Sequence, residues 1–132
     1  MPRILIIDDD KQIRELVRLM LREEGYEGLE VTDGADALQA CQGEEFDLVL
    51  CDIFMPGRDG LETIRGLRRA FPGLRIVAMS GGGWGYRRPT DVLRVARLMG
   101  AAAVLEKPFS RQDLANALGE ALGHARGAAG SG

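Results

Sequence analysis

Asp8, Asp9, Asp52 and Lys107 each stand at the end of an apolar run, where a folded sheet could gather them into one site. Asp8 and Asp9 follow Ile4-Leu5-Ile6-Ile7, and Asp52 follows Leu48-Val49-Leu50-Cys51. Lys107 follows Ala102-Ala103-Val104-Leu105 after only Glu106. Carboxylates converging in one crevice repel: two unit charges about 4 Å apart cost on the order of 4 kcal/mol at an effective dielectric near 20. Such a cluster persists by raising a pKa or by holding a cation. Oxygen ligands without histidine favour Mg²⁺, which keeps several waters and takes one or two carboxylates. A divalent ion beside a carboxylate suits phosphoryl transfer, since a metal can bridge phosphate oxygens to the accepting group. Aspartate can itself accept a phosphoryl group as an acyl phosphate. Lys107 could then pair with a phosphate oxygen, and Ser80, at the end of another apolar run, could donate a hydroxyl hydrogen bond.

Strand-like and helix-like segments alternate along the chain. Residues 3–8 read as a strand, and residues 11–24 place Ile13, Leu16, Val17, Met20 and Leu21 at helical spacing. Gly25 suits the left-handed position after a helix. A second strand spans 28–31, followed by a Thr32-Asp33-Gly34 turn and a short helix carrying Ala35, Leu38 and Ala40. The third strand covers 46–51, and residues 55–60 read as a loop from their Pro and Gly content. A third helix carries Leu61, Ile64 and Leu67 and ends before Pro72-Gly73. Residues 74–79 form a fourth strand, residues 81–86 a glycine-rich loop, and Val92 to Met99 a fourth helix that stops at Gly100. The fifth strand is 102–105, and Ser110 with Asp113 opens a fifth helix through a near capping box. Strands apolar throughout imply a parallel sheet covered on both faces. The βα alternation implies right-handed crossovers and a doubly wound α/β architecture. Ligands in such sheets bind beyond the carboxyl ends of the strands, where strand order reverses. One domain is expected over residues 1–122, with a flexible Gly/Ala-rich tail at 123–132.

Composition narrows the function classes. A chain of 132 residues with 45% apolar and 28% charged residues is ordinary for one globular domain. Its net charge of -3 argues against general nucleic-acid binding. No apolar stretch approaches the ~20 residues that cross a bilayer, and no signal-peptide layout opens the chain, so a cytoplasmic location is expected. Cys41 and Cys51 read as reduced thiols, with no CxxC pair or nearby histidine for a metal. His124, the single histidine, reads as a solvated surface residue. Glycines 81–83 are not a nucleotide loop, because GxxxxGK[ST] is absent.

Four motifs, in this order, resemble the receiver domain of two-component response regulators: Ile6-Ile7-Asp8-Asp9-Asp10, then Asp52 to Gly60, then Ser80, then Lys107-Pro108-Phe109. The resemblance covers about residues 3–122. It implies a flavodoxin-like fold: a five-stranded parallel sheet of order 2-1-3-4-5 with five helices. It implies that Asp52 accepts a phosphoryl group from a histidine kinase or phosphotransfer protein. Asp9, Asp52 and the backbone carbonyl of Phe54 would bind Mg²⁺ directly, Asp8 through water, and Ser80 and Lys107 would contact phosphoryl oxygens. The Lys107–Pro108 bond would be cis. The output would be a changed surface on helix 4, strand 5 and helix 5, read by a partner protein or a second copy, in a monomer or weak homodimer. Such a protein is no enzyme in the usual sense, catalysing only its own phosphorylation and dephosphorylation.

The chain departs from that family pattern in places. The segment from Ser80 to Gly100 is long and holds Trp84 and Tyr86, which could form part of a partner surface. Val104 stands where a switching Tyr or Phe is frequent, so a rotating aromatic is not on offer there. Phe54 lies where a hydrolytic water would approach, and an apolar side chain there predicts slow dephosphorylation. Two other readings remain open. A Mg²⁺-dependent phosphohydrolase with an aspartyl nucleophile is one, although no DxDx[TV] stretch follows the first strand. A receiver cut from a longer regulator is the other, with the Gly/Ala tail as a linker stub.

Overall fold

The computed structural model describes residues 1–55, 58–81 and 89–123. In chain order the elements are β1 (Arg3–Ile7), α1 (Lys11–Glu23), β2 (Glu27–Val31), α2 (Gly34–Gly43), β3 (Leu48–Asp52), β4 (Phe54–Met55), β5 (Arg58–Asp59), α3 (Gly60–Ala70), β6 (Ile76–Gly81), α4 (Pro89–Leu98), β7 (Ala103–Lys107) and α5 (Arg111–Leu122). The main sheet runs β2-β1-β3-β6-β7 with every pairing parallel. Taking its five strands in chain order, this is 2-1-3-4-5, the order that the resemblance to receiver domains implies. Strand order reverses between β1 and β3, so the crevice falls where Asp8 and Asp52 end their strands.

Alternation along each strand divides the core into two layers. Leu5, Ile7, Val49, Cys51, Ile76 and Ala78 pack with Ala37 of α2, Ile64 and Leu67 of α3 and Ala96 of α4. Ile4, Ile6, Leu48, Leu50, Val77, Met79, Ala103 and Leu105 pack with Val17 and Leu21 of α1 and Leu114, Ala117, Leu118 and Ala121 of α5. Successive side chains point to opposite faces of a strand. The same parity, carried to the strand ends, assigns Asp8, Asp52 and Lys107 to the α1–α5 side. It assigns Ser80 to the other side.

Local chemistry sets the helix starts. The Asp10 carboxylate accepts from the backbone N–H groups of Gln12 and Ile13 at 2.9 and 3.4 Å, and that of Asp33 from Asp36 at 2.9 Å. Ser110 and Asp113 form a reciprocal capping box on α5. Gly25 follows α1 with φ +90°, the left-handed position expected of it.

Several boundaries differ from the sequence reading. β3 begins at Leu48, because Asp47 is already engaged with the start of β1: its carboxylate accepts from the Arg3 amide at 2.7 Å. β6 and β7 each run on, to Gly81 and Lys107, and remain paired as Ser80↔Glu106 and Gly81↔Lys107. Ser80 and Lys107 therefore belong to strands and do not follow them. Residues 54–55 and 58–59 form a two-residue antiparallel ladder where a loop was expected; so short a pairing leaves no periodic trace. On α1, Leu16 is half exposed while Val17 and Leu21 are buried. On α2 the buried residue is Ala37, whereas Leu38 points outward. Pro56, Gly57, Trp84, Tyr86, Arg87, Arg88, His124 and the tail from 124 lie outside the described residues.

Candidate phosphoryl-acceptor site

The three consecutive aspartates after β1 perform different tasks. Asp8 is fully buried, Asp9 is exposed, and Asp10 caps α1. The Asp8 amide donates to Val31 at 3.3 Å, extending the strand alignment by one residue. Its Oδ1 accepts from the Asp10 amide at 2.9 Å, which closes the turn into the helix. Asp52 closes β3, its neighbours fixed by β1 on one side and β6 on the other. Beneath it, the first residue of α3 makes an unusually close approach. A Cβ on Gly60 would stand 2.2 Å from the Ile53 Cα and 2.6 Å from the Asp52 carbonyl oxygen. Only glycine fits a helix start pressed this tightly against the acidic strand end.

One oxygen from each of Asp8, Asp9 and Asp52 lies within 4.8 Å of the others. Lys107 joins them from β7, with Nζ 2.7 Å from Asp8 Oδ2 and 3.5 Å from Asp52 Oδ2. The Lys107–Pro108 peptide bond is cis. Burial alone would lower the Lys107 pKa, but the Asp8 hydrogen bond and the charges of Asp52 and Asp8 outweigh it and hold the amine above the ordinary lysine value. The ammonium thus neutralises part of the repulsion that the acids would otherwise feel. Cys51, directly before Asp52, is sealed in the opposite layer, and burial, then the Asp52 and Asp8 charges, push its thiol pKa upward.

Ser80 is buried at the carboxyl end of β6, one residue past Met79, the register partner of Asp52. Its hydroxyl donates to the Gly81 carbonyl at 3.4 Å. Phe54 opens β4 two residues beyond Asp52 and pairs with Asp59. The structure thus gathers Asp8, Asp9, Asp52 and Lys107 and puts Ser80 and Phe54 on the adjoining segments. Sequence reasoning misses Arg14 and Glu30. The Arg14 guanidinium donates to the Asp8 carbonyl at 2.7 Å and to Glu30 Oε1 at 3.0 Å. The available signal was Glu30 itself, an acid inside an otherwise strand-like stretch facing α1.

The donor set fits a hard divalent cation. It is all oxygen, with two shielded carboxylates and one open to water, which matches an ion that retains part of its hydration shell. No helix among the described residues is long and apolar enough to cross a membrane.

A doubly wound sheet with an acidic cluster at its switch point, reached by a lysine from the edge strand β7, defines a class of α/β domain whose crevice lies at the carboxyl ends of the strands. The response regulator receiver domain family matches residues 4–119, and the chain belongs to that family. Among solved structures, NtrX from Brucella abortus is 32% identical with a TM-score of 0.84, covering 96% of this chain and 28% of that one. A response regulator receiver domain protein from Clostridium thermocellum is 26% identical with a TM-score of 0.82, covering 96% and 98%. The chemotaxis protein CheY4 of Vibrio cholerae is 28% identical with a TM-score of 0.79, covering 92% and 99%. The chain thus spans the full length of some relatives and little more than a quarter of NtrX.

Proposed function

We propose that this domain is a phosphorylation-dependent switch in which Asp52 accepts a phosphoryl group from a histidine kinase or phosphotransfer protein. The observation that carries the reading is the Lys107 ammonium lying between two buried aspartates, with Asp9 open to solvent beside them. A carboxylate oxygen of Asp52 would form the new O–P bond as the N–P bond of a donor phosphohistidine breaks. The electron pair of that bond returns to the imidazole nitrogen. Lys107 would leave Asp8 and pair with a phosphoryl oxygen, and Ser80 would turn its hydroxyl from Gly81 toward another. Asp9, Asp52 and the Phe54 carbonyl would hold Mg²⁺, with Asp8 acting through water. When bound, the ion would supply charge neutralisation at the phosphoryl oxygens.

The domain acts as a binding module and no general phosphatase: its only chemistry is on its own Asp52. Output runs through the α4–β7–α5 face to a partner protein or second copy, in the cytoplasm. Contacts made only by the phosphorylated state bias the choice between two arrangements of that face. The decisive experiment incubates the chain with Mg²⁺ and acetyl phosphate and weighs it by mass spectrometry. One phosphoryl group should be added, and Asp52→Asn should take none. Labelling that survives Asp52→Asn, or multiple turnover of a generic phosphate ester, would overturn this reading.

A further inference from the structure

Every polar atom of Asp8 has a partner. Its amide donates to Val31, Oδ1 accepts from the Asp10 amide, Oδ2 accepts from Lys107, and its carbonyl accepts from Arg14. The last of these comes from the side. Arg14 lies one turn into α1, its side chain only 12% exposed, and its guanidinium reaches back over the turn to the Asp8 carbonyl at 2.7 Å. Glu30 of β2 fixes that guanidinium at 3.0 Å and is itself held on its other oxygen by Arg18 at 3.0 Å. A planar fork can serve a carbonyl and a carboxylate at once, which a lysine ammonium on a flexible stem does poorly.

We propose that Arg14, oriented by Glu30, is a positioning residue that sets the Asp8–Asp9 turn for cation binding. This inference rests on the metal reading of the site given above. Arg14 touches no carboxylate of the cluster. It pins the peptide between Asp8 and Asp9, so it fixes both the angle at which the buried acid faces Lys107 and the direction in which the exposed acid leaves the turn. Supporting groups of this kind govern metal affinity through the ligands they orient.

Electrostatics alone makes a different prediction, which gives the test its force. Arg14 is a cation near a cation site, so on Coulomb grounds Arg14→Gln should tighten Mg²⁺ binding, and Arg14→Lys, with its charge kept, should leave it unchanged. A positioning role predicts weaker binding in both. Isothermal titration of the full chain with Mg²⁺ should show roughly tenfold weaker affinity for Arg14→Gln and a smaller loss for Arg14→Lys. Val17→Ala, a destabilising change on the buried face of the same helix, should bind as wild type. Tighter binding by Arg14→Gln, unchanged binding by both variants, or an equal loss in Val17→Ala would each overturn the role given to Arg14 alone. No binding by the wild-type chain would instead overturn the metal reading on which it stands.

Discussion

Lys107 is the residue whose removal should be felt most directly. Without its ammonium, Asp8 and Asp52 are left as buried acids with a third beside them. Lys107→Met should therefore cost about 2 kcal/mol in denaturant melts without divalent ions, less than for a fully sealed pair because the lysine is partly open to solvent. Mg²⁺ should restore part of the loss. The pH dependence follows from the raised pKa. A lysine held above its unfolded value of 10.5 contributes its full stabilisation below that pH and loses it as pH climbs through the higher folded value. Wild-type stability should fall more steeply above pH 10.5 than that of Lys107→Met. Phe54→Asn tests another single residue. A polar side chain in place of Phe54 should shorten the lifetime of phosphorylated Asp52 by about tenfold, the equivalent of ~1.4 kcal/mol in the barrier. An unchanged lifetime would overturn the expectation that an apolar residue at position 54 slows hydrolysis.

At the scale of elements, α3 carries two glycines with opposite demands. Gly60 has no room: an added methyl would meet the Asp52–Ile53 backbone well inside contact distance. Gly60→Ala should displace the end of β3, lower stability by roughly 2–3 kcal/mol and impair phosphorylation. Gly66, exposed in the middle of the same helix, has nothing within 4 Å. Gly66→Ala should stabilise by about 0.5–1 kcal/mol through helix propensity and leave phosphorylation intact. Thermal melts and acetyl phosphate labelling of the two variants separate these outcomes. The elements were the most readable level of the sequence. Continuous apolar runs mark β1, β3 and β6, and 3.6-residue spacing marks α1 and α3, because burial leaves a strong pattern there. The edge strand β2, Glu27–Val31, is only partly buried and carries no such run. Strand ends were less readable. Lys107 and Ser80 stay in the sheet through hydrogen bonds to each other's strands, a property of pairing that no single segment displays. The outward turn of Leu38 and the burial of Ala37 leave no clear trace in the sequence, because a ten-residue helix offers too few turns to fix its facing.

At the scale of the molecule, the two core layers differ in what they seal. Cys51 sits at zero exposure in the α2–α4 layer, and burial also raises its pKa. Cys41 is half-buried, with a pKa raised by burial alone. In the native protein at pH 8, a thiol-reactive disulfide reagent should modify Cys41 slowly and leave Cys51 untouched, read by intact mass. Cys51 should react only in denaturant, so its labelling rate reports opening of the whole domain. Of the candidate site, the acids and the lysine were legible because their types are conspicuous at the ends of apolar runs. The Arg14–Glu30 pair was not, since a charged residue on a surface helix looks like any other until its partner across the fold is known.

The two-residue alternation of the sheet also governs which inherited changes in length this chain can absorb. Deleting or duplicating a single residue within Arg3–Ile7, Leu48–Asp52 or Ala103–Lys107 would rotate the acid or amine at that strand's tip into the opposite layer. Descendants of this sequence should accordingly accumulate insertions and deletions where the chain enters each strand from a loop, and keep the spacing from strand interior to tip invariant even where the residues between have drifted.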